Sequence, residues 1–353
     1  MSRPLHVAVT GLNATDNPAP GVGVVRSLRH HPKFEGRVIG LSYDALDSGI
    51  YAEGLFDDVF LMPYPSQGLA AYEARLRYVH DKVGIDVLLP TLDSELPGII
   101  ALQPKLRELG IKTFLPSQEQ LDLRSKVRLT TLRDAGIRVP ASAVLSDAGQ
   151  LATVHQRVPY PFYVKGVYYG AQLARSFDEA SVAFHKVVAQ WGVPVIAQQA
   201  IDGEEYDVVA VGDGEGGLVG AVPMKKMLLT DKGKGWAGVA VRDPELLDVT
   251  RAFMRATRWR GPCEIEAMRD REGEYHLLEV NPRFPAWVYM SATAGENLPF
   301  AAMQLAAGQP LEPLGPFRAG TMFVRISLDQ YTSMETFAGL AEQGELVREG
   351  GLR

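Results

Sequence analysis

The segment that most restricts what this chain can build is GPCEIEAMRDREGEYHLLEVNPRF, residues 261–284. Two runs alternate apolar and polar residues on either side of Arg271-Glu272-Gly273, the pattern of two antiparallel strands joined by a tight turn. Residues two apart on a strand share a face, so Glu264 and Glu266 point one way, as do Glu279, Asn281 and Arg283. With the turn centred between Glu272 and Gly273, a single register sets Glu266 opposite Glu279 and Glu264 opposite Asn281. Carboxylates facing each other with Cβ atoms ~5 Å apart repel unless a cation lies between them. Mg²⁺ suits that place: it is a hard ion that takes carboxylate, phosphate and water oxygens. Asn281 adds a neutral oxygen and Arg283 a positive charge for phosphate or an acyl phosphate. A merely solvated hairpin face has no use for apolar Leu278 and Val280 or for the rigid Asn281-Pro282-Arg283 exit. These argue for a buried, shaped strand end.

The rest of the chain supplies a setting for that hairpin. At 353 residues, 46% hydrophobic and 22% charged, it is long enough for two or three packed domains. A formal charge of −6 with scattered basic residues gives no footprint for nucleic acid, so small-molecule partners are expected. The single cysteine, Cys263, excludes an intrachain disulfide framework and a cysteine-based zinc cluster. It alternates with Ile265 and reads as strand packing. Met1 to Pro4 lead straight into the strand-like run Leu5 to Thr10 without a signal peptide, and no apolar stretch approaches the ~20 residues of a membrane span. The cytoplasm is the expected location, with no membrane partner.

Residues 1–120 alternate short β-branched runs with helical stretches, which predicts a parallel α/β sheet. Residues 121–140 read as one amphipathic helix, with a domain change near Leu121. Beyond residue 155 the runs YPFYVKG, VPVIAQQAI, EEYDVVAVGD and GLVGAVPMKKML, with glycine-rich turns, predict hairpins in a mixed α+β region. A helix is expected over 242–258, another in FAAMQLAAG, then a strand in TMFVRISL and a polar tail.

Against this background the hairpin resembles the metal-binding element of the ATP-grasp superfamily, with its nearest likeness in the carbamoyl phosphate synthetase large-subunit and biotin carboxylase branch. The resemblance runs over residues 1 to about 310 and is most specific in the Glu…Glu-x-Asn-Pro-Arg set. It implies a fold of α/β plus α+β type. A Rossmann-like pre-ATP-grasp domain would occupy 1–120, a small lid subdomain 121–200, and a large catalytic subdomain with a C-terminal tail 201–353. It implies ATP and Mg²⁺ as cofactors, with Glu266, Glu279 and Asn281 at the metal positions and Arg283 on the phosphate side. Lys126 and Lys165 match the two phosphate lysines. Gln198, Gln199, Ala200 and Ile201 match the hinge that reads adenine, and Glu205 the residue that binds ribose hydroxyls. Lys225 and Lys226 end another strand; neighbours on a strand face opposite ways, so one reaches phosphate, and Lys225 is taken as that one. The departure from the family pattern follows Lys165, where GVYYGAQLA replaces a loop richer in glycine and serine. The basic loop LTDKGKGWAG, residues 229–238, is an alternative cover for the phosphates.

The resemblance implies an ADP-forming ligase in which a substrate carboxylate takes the γ-phosphoryl group and passes its acyl group to an amine, with Lys165 and Arg283 as catalytic residues. Such chemistry rests on positioning and electrostatics. That fits the lack of any convincing Ser-His-Asp or Cys-His set. A carbamoyl-phosphate-synthetase or carboxylase type of reaction and a non-catalytic ATP-binding module are the alternatives. A nicotinamide site, suggested by Gly21, Gly23 and Asp44, fails because its glycines must lie in the turn directly after the first strand. Phe284, Trp287 and Tyr289 read as core rather than as an acceptor pocket. The edges of the first domain make a homodimer the expectation.

Overall fold

A computed structural model of the chain describes residues 3–15, 18–125, 128–166, 171–230 and 235–347. It begins with four parallel strands, β1 His6–Thr10, β2 Arg37–Ser42, β3 Asp58–Leu61 and β4 Val87–Leu89, in the spatial order β3-β2-β1-β4. Their nearly continuous apolar sequences match burial on both faces. Helix α1, Gly21–His30, covers one face; α2, Leu69–Val83, and α3, Leu96–Glu108, cover the other. The β-branched run after α3, IKTFLPS, makes only a bridge from Lys112 to Val87.

The expected helix over 121–140 is not continuous. A capped short helix, α4 Gln118–Asp122, and a 3₁₀ segment, Arg128–Ala135, occupy that region. A four-stranded antiparallel sheet follows, built from β5 Ser142–Leu145, β6 Phe162–Lys165, β7 Ala171–Ala174 and β8 Val195–Gln199 in the order β5-β8-β6-β7. Helices α5, Leu151–Val154, and α6, Phe177–Trp191, pack on it. Ser176 caps α6 by accepting from the Glu179 amide, and Gly192, at φ 76°, ends it.

The largest sheet takes β9 Gly203–Asp213, β10 Leu218–Leu229, β11 Gly235–Ala240, β12 Arg260–Asp270, β13 Tyr275–Asn281 and β14 Met322–Val324 in the order β13-β12-β9-β10-β11-β14. One face packs against α7, Pro244–Thr257. Part of the other packs against α8, Tyr289–Ala294, α9, Leu298–Ala307, and through them α1. Phe284 and Trp287 are buried in this central core, as expected for core aromatics, while Tyr289 is partly exposed beneath the Arg26 guanidinium.

The tail does not stay with the large sheet. Helix α10, Met334–Gln343, leads into β15, Glu345–Val347, which pairs antiparallel with β3 and closes that edge of the first sheet. The division that assigned 201–353 to one unit therefore breaks after β14. No helix among the described residues is long and apolar enough to cross a membrane.

Candidate active site

The catalytic face follows from strand alternation. Cys263, Ile265 and Ala267 enter the core beneath α7, which turns Glu264 and Glu266 to the opposite face. The β12–β13 register sets Glu266 against Glu279 and Glu264 against Asn281; a bulge between Glu266 and Ala267 shifts only the part nearer the turn. On the other side of β12, β9 places Asp207 beside Glu266. Gly203 permits this close approach, because a Cβ there would stand 1.9 Å from the Arg269 carbonyl oxygen.

The carboxylates of Glu205, Asp207 and Glu266 lie within 4.8 Å of one another. Lys226, from β10, sits among them, its Nζ 2.5 Å from Glu205 Oε1, 3.1 Å from Asp207 Oδ1 and 3.8 Å from Glu266 Oε2. Its side chain is only 7% exposed. Burial alone would lower its pKa, but Glu266, Asp207 and Glu205 outweigh that and hold it above the usual lysine value. Burial raises the Asp207 carboxyl well above the ordinary aspartate range; Lys226 opposes that rise and the neighbouring glutamates add to it. Three carboxylates against one ammonium leave a deficit of positive charge, on a face whose donors are hard oxygens. A divalent cation fits that deficit.

The strand exit is tightly tied. Asn281 Nδ2 donates to Glu264 Oε2 at 3.0 Å and to Glu266 Oε1 at 2.9 Å, which leaves the amide oxygen to offer a cation. Trp287 Nε1 donates to Glu264 Oε1 at 2.8 Å, so Glu264 serves as an anchor beneath the site. Arg283 Nη1 reaches Glu264 Oε2 at 3.3 Å, and its Nε reaches Asp93 Oδ2, in the loop after β4, at 2.9 Å. Burial works against the guanidinium charge, but Asp93 and Glu264 overcome it and raise its pKa.

On the small sheet, Lys165 Nζ donates to Gln198 Oε1 at 2.7 Å and stands 5.1 Å from the centre of the Tyr163 ring. Gln198 is buried, and its Nε2 has no hydrogen-bond partner among the described residues. Gln198 and Gln199 end β8, and Ala200 and Ile201 begin the passage to β9, from one sheet to the other. The Gln199 amide donates to Ala141 O and that of Ala200 to Pro161 O, so a backbone donor offered to a base from these two positions onward comes from Ile201.

Lys225 lies elsewhere. It pairs with Glu204 at 2.7 Å on the opposite face, and Lys226 is the lysine that joins Glu266. The sequence reading chose Lys225 over Lys226, and it missed Asp207 and Asp93. Lys226 reaches Glu205 across the β9–β10 pair, one step past Lys225 opposite Tyr206, but a bulge between Leu218 and Gly220 hides that register from the sequence. Lys126 lies outside the described residues, as do 167–170 and 231–234 in the two loops considered for phosphate cover.

Known proteins resemble this chain in sequence and in fold. Residues 193–326 match the family described as ATP-grasp in the biosynthetic pathway with Ter operon. The phosphoribosylamine–glycine ligase of Synechocystis is 25% identical over 267 residues, covering 67% of this chain; the chain spans 62% of that ligase's length. The biotin carboxylase domain of Hydrogenobacter thermophilus 2-oxoglutarate carboxylase, solved with MgADP and bicarbonate, superposes with a TM-score of 0.67 at 16% identity over 87% of this chain and 70% of that one. An L-amino acid ligase from Bacillus licheniformis gives 0.64 at 16% identity over 87% and 75%. The fold is an ATP-grasp fold. Sequence similarity to an ATP-grasp family thus covers residues 193–326, and the likeness in fold covers most of the chain.

Proposed function

We propose that this protein is an ADP-forming carboxylate–amine ligase that uses Mg-ATP to activate a small carboxylate as an acyl phosphate. The observation that carries the reading is one sheet face on which Glu266 opposes Glu279, with Asn281, Arg283 and Lys226 converging there. Glu266, Glu279 and Asn281 would hold Mg²⁺, which when bound offsets the charge of the triphosphate. Lys165 and Lys226 would hold phosphate oxygens from the two sheets, Glu205 the ribose hydroxyls, and the Gln198–Ile201 passage the adenine edge. Arg283 orients the substrate carboxylate, one of whose oxygens attacks the γ-phosphorus as the bond to the β-phosphate oxygen breaks and ADP leaves. The amine nitrogen then attacks the acyl carbon, the C–O bond to phosphate breaks, and phosphate and a proton depart.

The first layer, 3 to about 120, corresponds in this reading to the Rossmann-like pre-ATP-grasp domain, and the compartment is the cytoplasm. A homodimer is supported by the β14 edge, beyond which no strand pairs among the described residues and where Met322, Val324 and Ile326 are exposed.

Calorimetric binding of Mg-ADP to wild type and to Glu279→Gln tests the site. Binding is expected to weaken at least about tenfold in the variant. Screening carboxylic acids, bicarbonate among them, with amines for ADP release then tests the reaction. Mg-dependent binding without ADP release from any pair would favour the non-catalytic module, and an unaltered affinity in Glu279→Gln would remove Glu279 from the metal site.

A further inference from the structure

We infer that Arg325 selects the acid substrate, and that the acid it selects is a short dicarboxylate. The inference rests on the ligase reading above and deepens it: Arg283 takes the carboxylate that is activated, and Arg325 takes a second one. Strand pairing puts Arg325 on the cleft face. Lys226 stands opposite Gly238 on β11, and Gly238 opposite Phe323 on β14. Facing partners in a ladder share a face, and so do residues two apart on a strand. Arg325 therefore points to the side on which Lys226 meets Glu266. Its amide donates to Trp236 O at 2.9 Å, which carries the β11–β14 ladder one step past Val324.

The head of Arg325 is fixed but not used up. Nε donates to Gly235 O at 2.9 Å, and the guanidinium carbon stands 5.5 Å from the centre of the Phe323 ring. Neither Nη1 nor Nη2 has a hydrogen-bond or ion-pair partner among the described residues. Arg283 differs: its Nε is held by Asp93, and its Nη1 by Glu264 and the Phe284 carbonyl oxygen. A partly buried guanidinium with an open Nη1–Nη2 edge is a bidentate receptor for a carboxylate. Glu264 ties the two arginines to one place. It bonds Arg283 directly, and its charge opposes the burial that lowers the Arg325 pKa. Two guanidinium groups that answer to one carboxylate aim at targets a short molecule can span. In the same reading the phosphate oxygens have Lys165, Lys226 and the metal, so the open edge of Arg325 falls to the substrate. A monocarboxylate would fill only one of the two arginines.

The probes are succinate and glutarate, titrated calorimetrically into the full chain with and without Mg-ADP. Butyrate and valerate, which carry a methyl group where the second carboxylate stands, are the matched controls. At least one diacid is expected to bind about tenfold or more tightly than its control. Arg325→Gln keeps a donor for Gly235 O and removes the fork. It should erase the preference, lowering diacid affinity at least about tenfold and leaving the monoacid unchanged; Arg325→Lys, which keeps the charge, should restore part of it. A residue that merely pins Gly235 would change stability, read by thermal unfolding, without moving that ratio. The inference is overturned if neither diacid outbinds its control in the wild type, or if folded Arg325→Gln keeps the preference. Binding of glycine or β-alanine that depends on Arg325, where diacid binding does not, would put the second carboxylate on the amine and overturn it as well. Mg-ADP binding without a diacid preference defeats this inference alone, whereas a chain that binds no Mg-ADP defeats the ligase reading.

Discussion

Glu296 shows how a single buried acid in this molecule makes stability depend on pH. It lies between α8 and α9, accepts the Ala221 amide at 3.1 Å, and is pushed by burial up to about 7. A carboxyl whose folded pKa exceeds its unfolded value stabilises the fold below about 4.5, and that contribution is lost as pH rises through about 7. Glu296 is partly screened by solvent, so the loss between pH 5 and 8 is put at about 1–2 kcal/mol rather than the full value of the shift. Glu296→Gln keeps an oxygen for the Ala221 amide and cannot titrate. Denaturant unfolding at the two pH values should show the wild type losing that much more stability than the variant; parallel losses would dismiss Glu296 as the cause. At this scale, the residues legible in the sequence were those fixed by alternation about one tight turn. Glu264, Glu266, Glu279 and Asn281 fall where a two-residue period puts them. Lys225 and Lys226 were not separable, because their faces depend on pairing with β9, whose register passes through a bulge. Asp93 meets Arg283 from 190 residues away, and no local pattern encodes such a meeting.

Among the elements, β15 is the one that local sequence hid most completely. Glu345 to Val347 is too short to give a period, and its place is set by a distant strand. Leu61 N donates to Gly344 O at 2.8 Å, Arg75 Nη2 to the same oxygen at 2.6 Å, and Lys82 pairs with Glu345. The expected helix over 121–140 failed for the complementary reason. Its apolar spacing is helical, but Leu129 and Leu132 are buried against the large sheet's outer core in a tighter 3₁₀ turn, where packing overrides the period. The clasp made by α10 and β15 rests on Leu340, 1% exposed in the central core. Leu340→Ala is expected to cost about 2–4 kcal/mol. It should also lower amide-exchange protection at Asp58–Leu61 in β3, while Cys263–Ala267 in β12 stays protected. Equal loss at both strands would mean that the tail supports the whole fold rather than one edge.

Over the whole molecule the distribution of cores dictates how it opens. One cluster takes Val7 and Val9 from β1, Val24 from α1, Val209 from β9, Val222 from β10 and Phe284 and Val288 from the strand exit. The first layer and the large sheet therefore share apolar area that cannot be exposed in one without the other. The small sheet differs: its buried cluster is drawn wholly from Ala143 to Ala197. A body with its own core, joined to the large sheet through residues 198–203 and carrying Lys165 toward the cleft, can open while the rest stays closed. Amide exchange under native conditions should then give one common opening free energy for His6–Thr10 and Cys263–Ala267 and a lower one for Phe162–Lys165 and Val195–Gln199. Saturating Mg-ADP should raise protection most in the small sheet, because a nucleotide held between the sheets binds only the closed arrangement and stabilises it in proportion to its concentration over Kd. If β1 opens before β12 while the small sheet matches the most protected strands, the shared core does not govern the motion, and closure must be sought between the first layer and the large sheet, at Asp93 and Arg283.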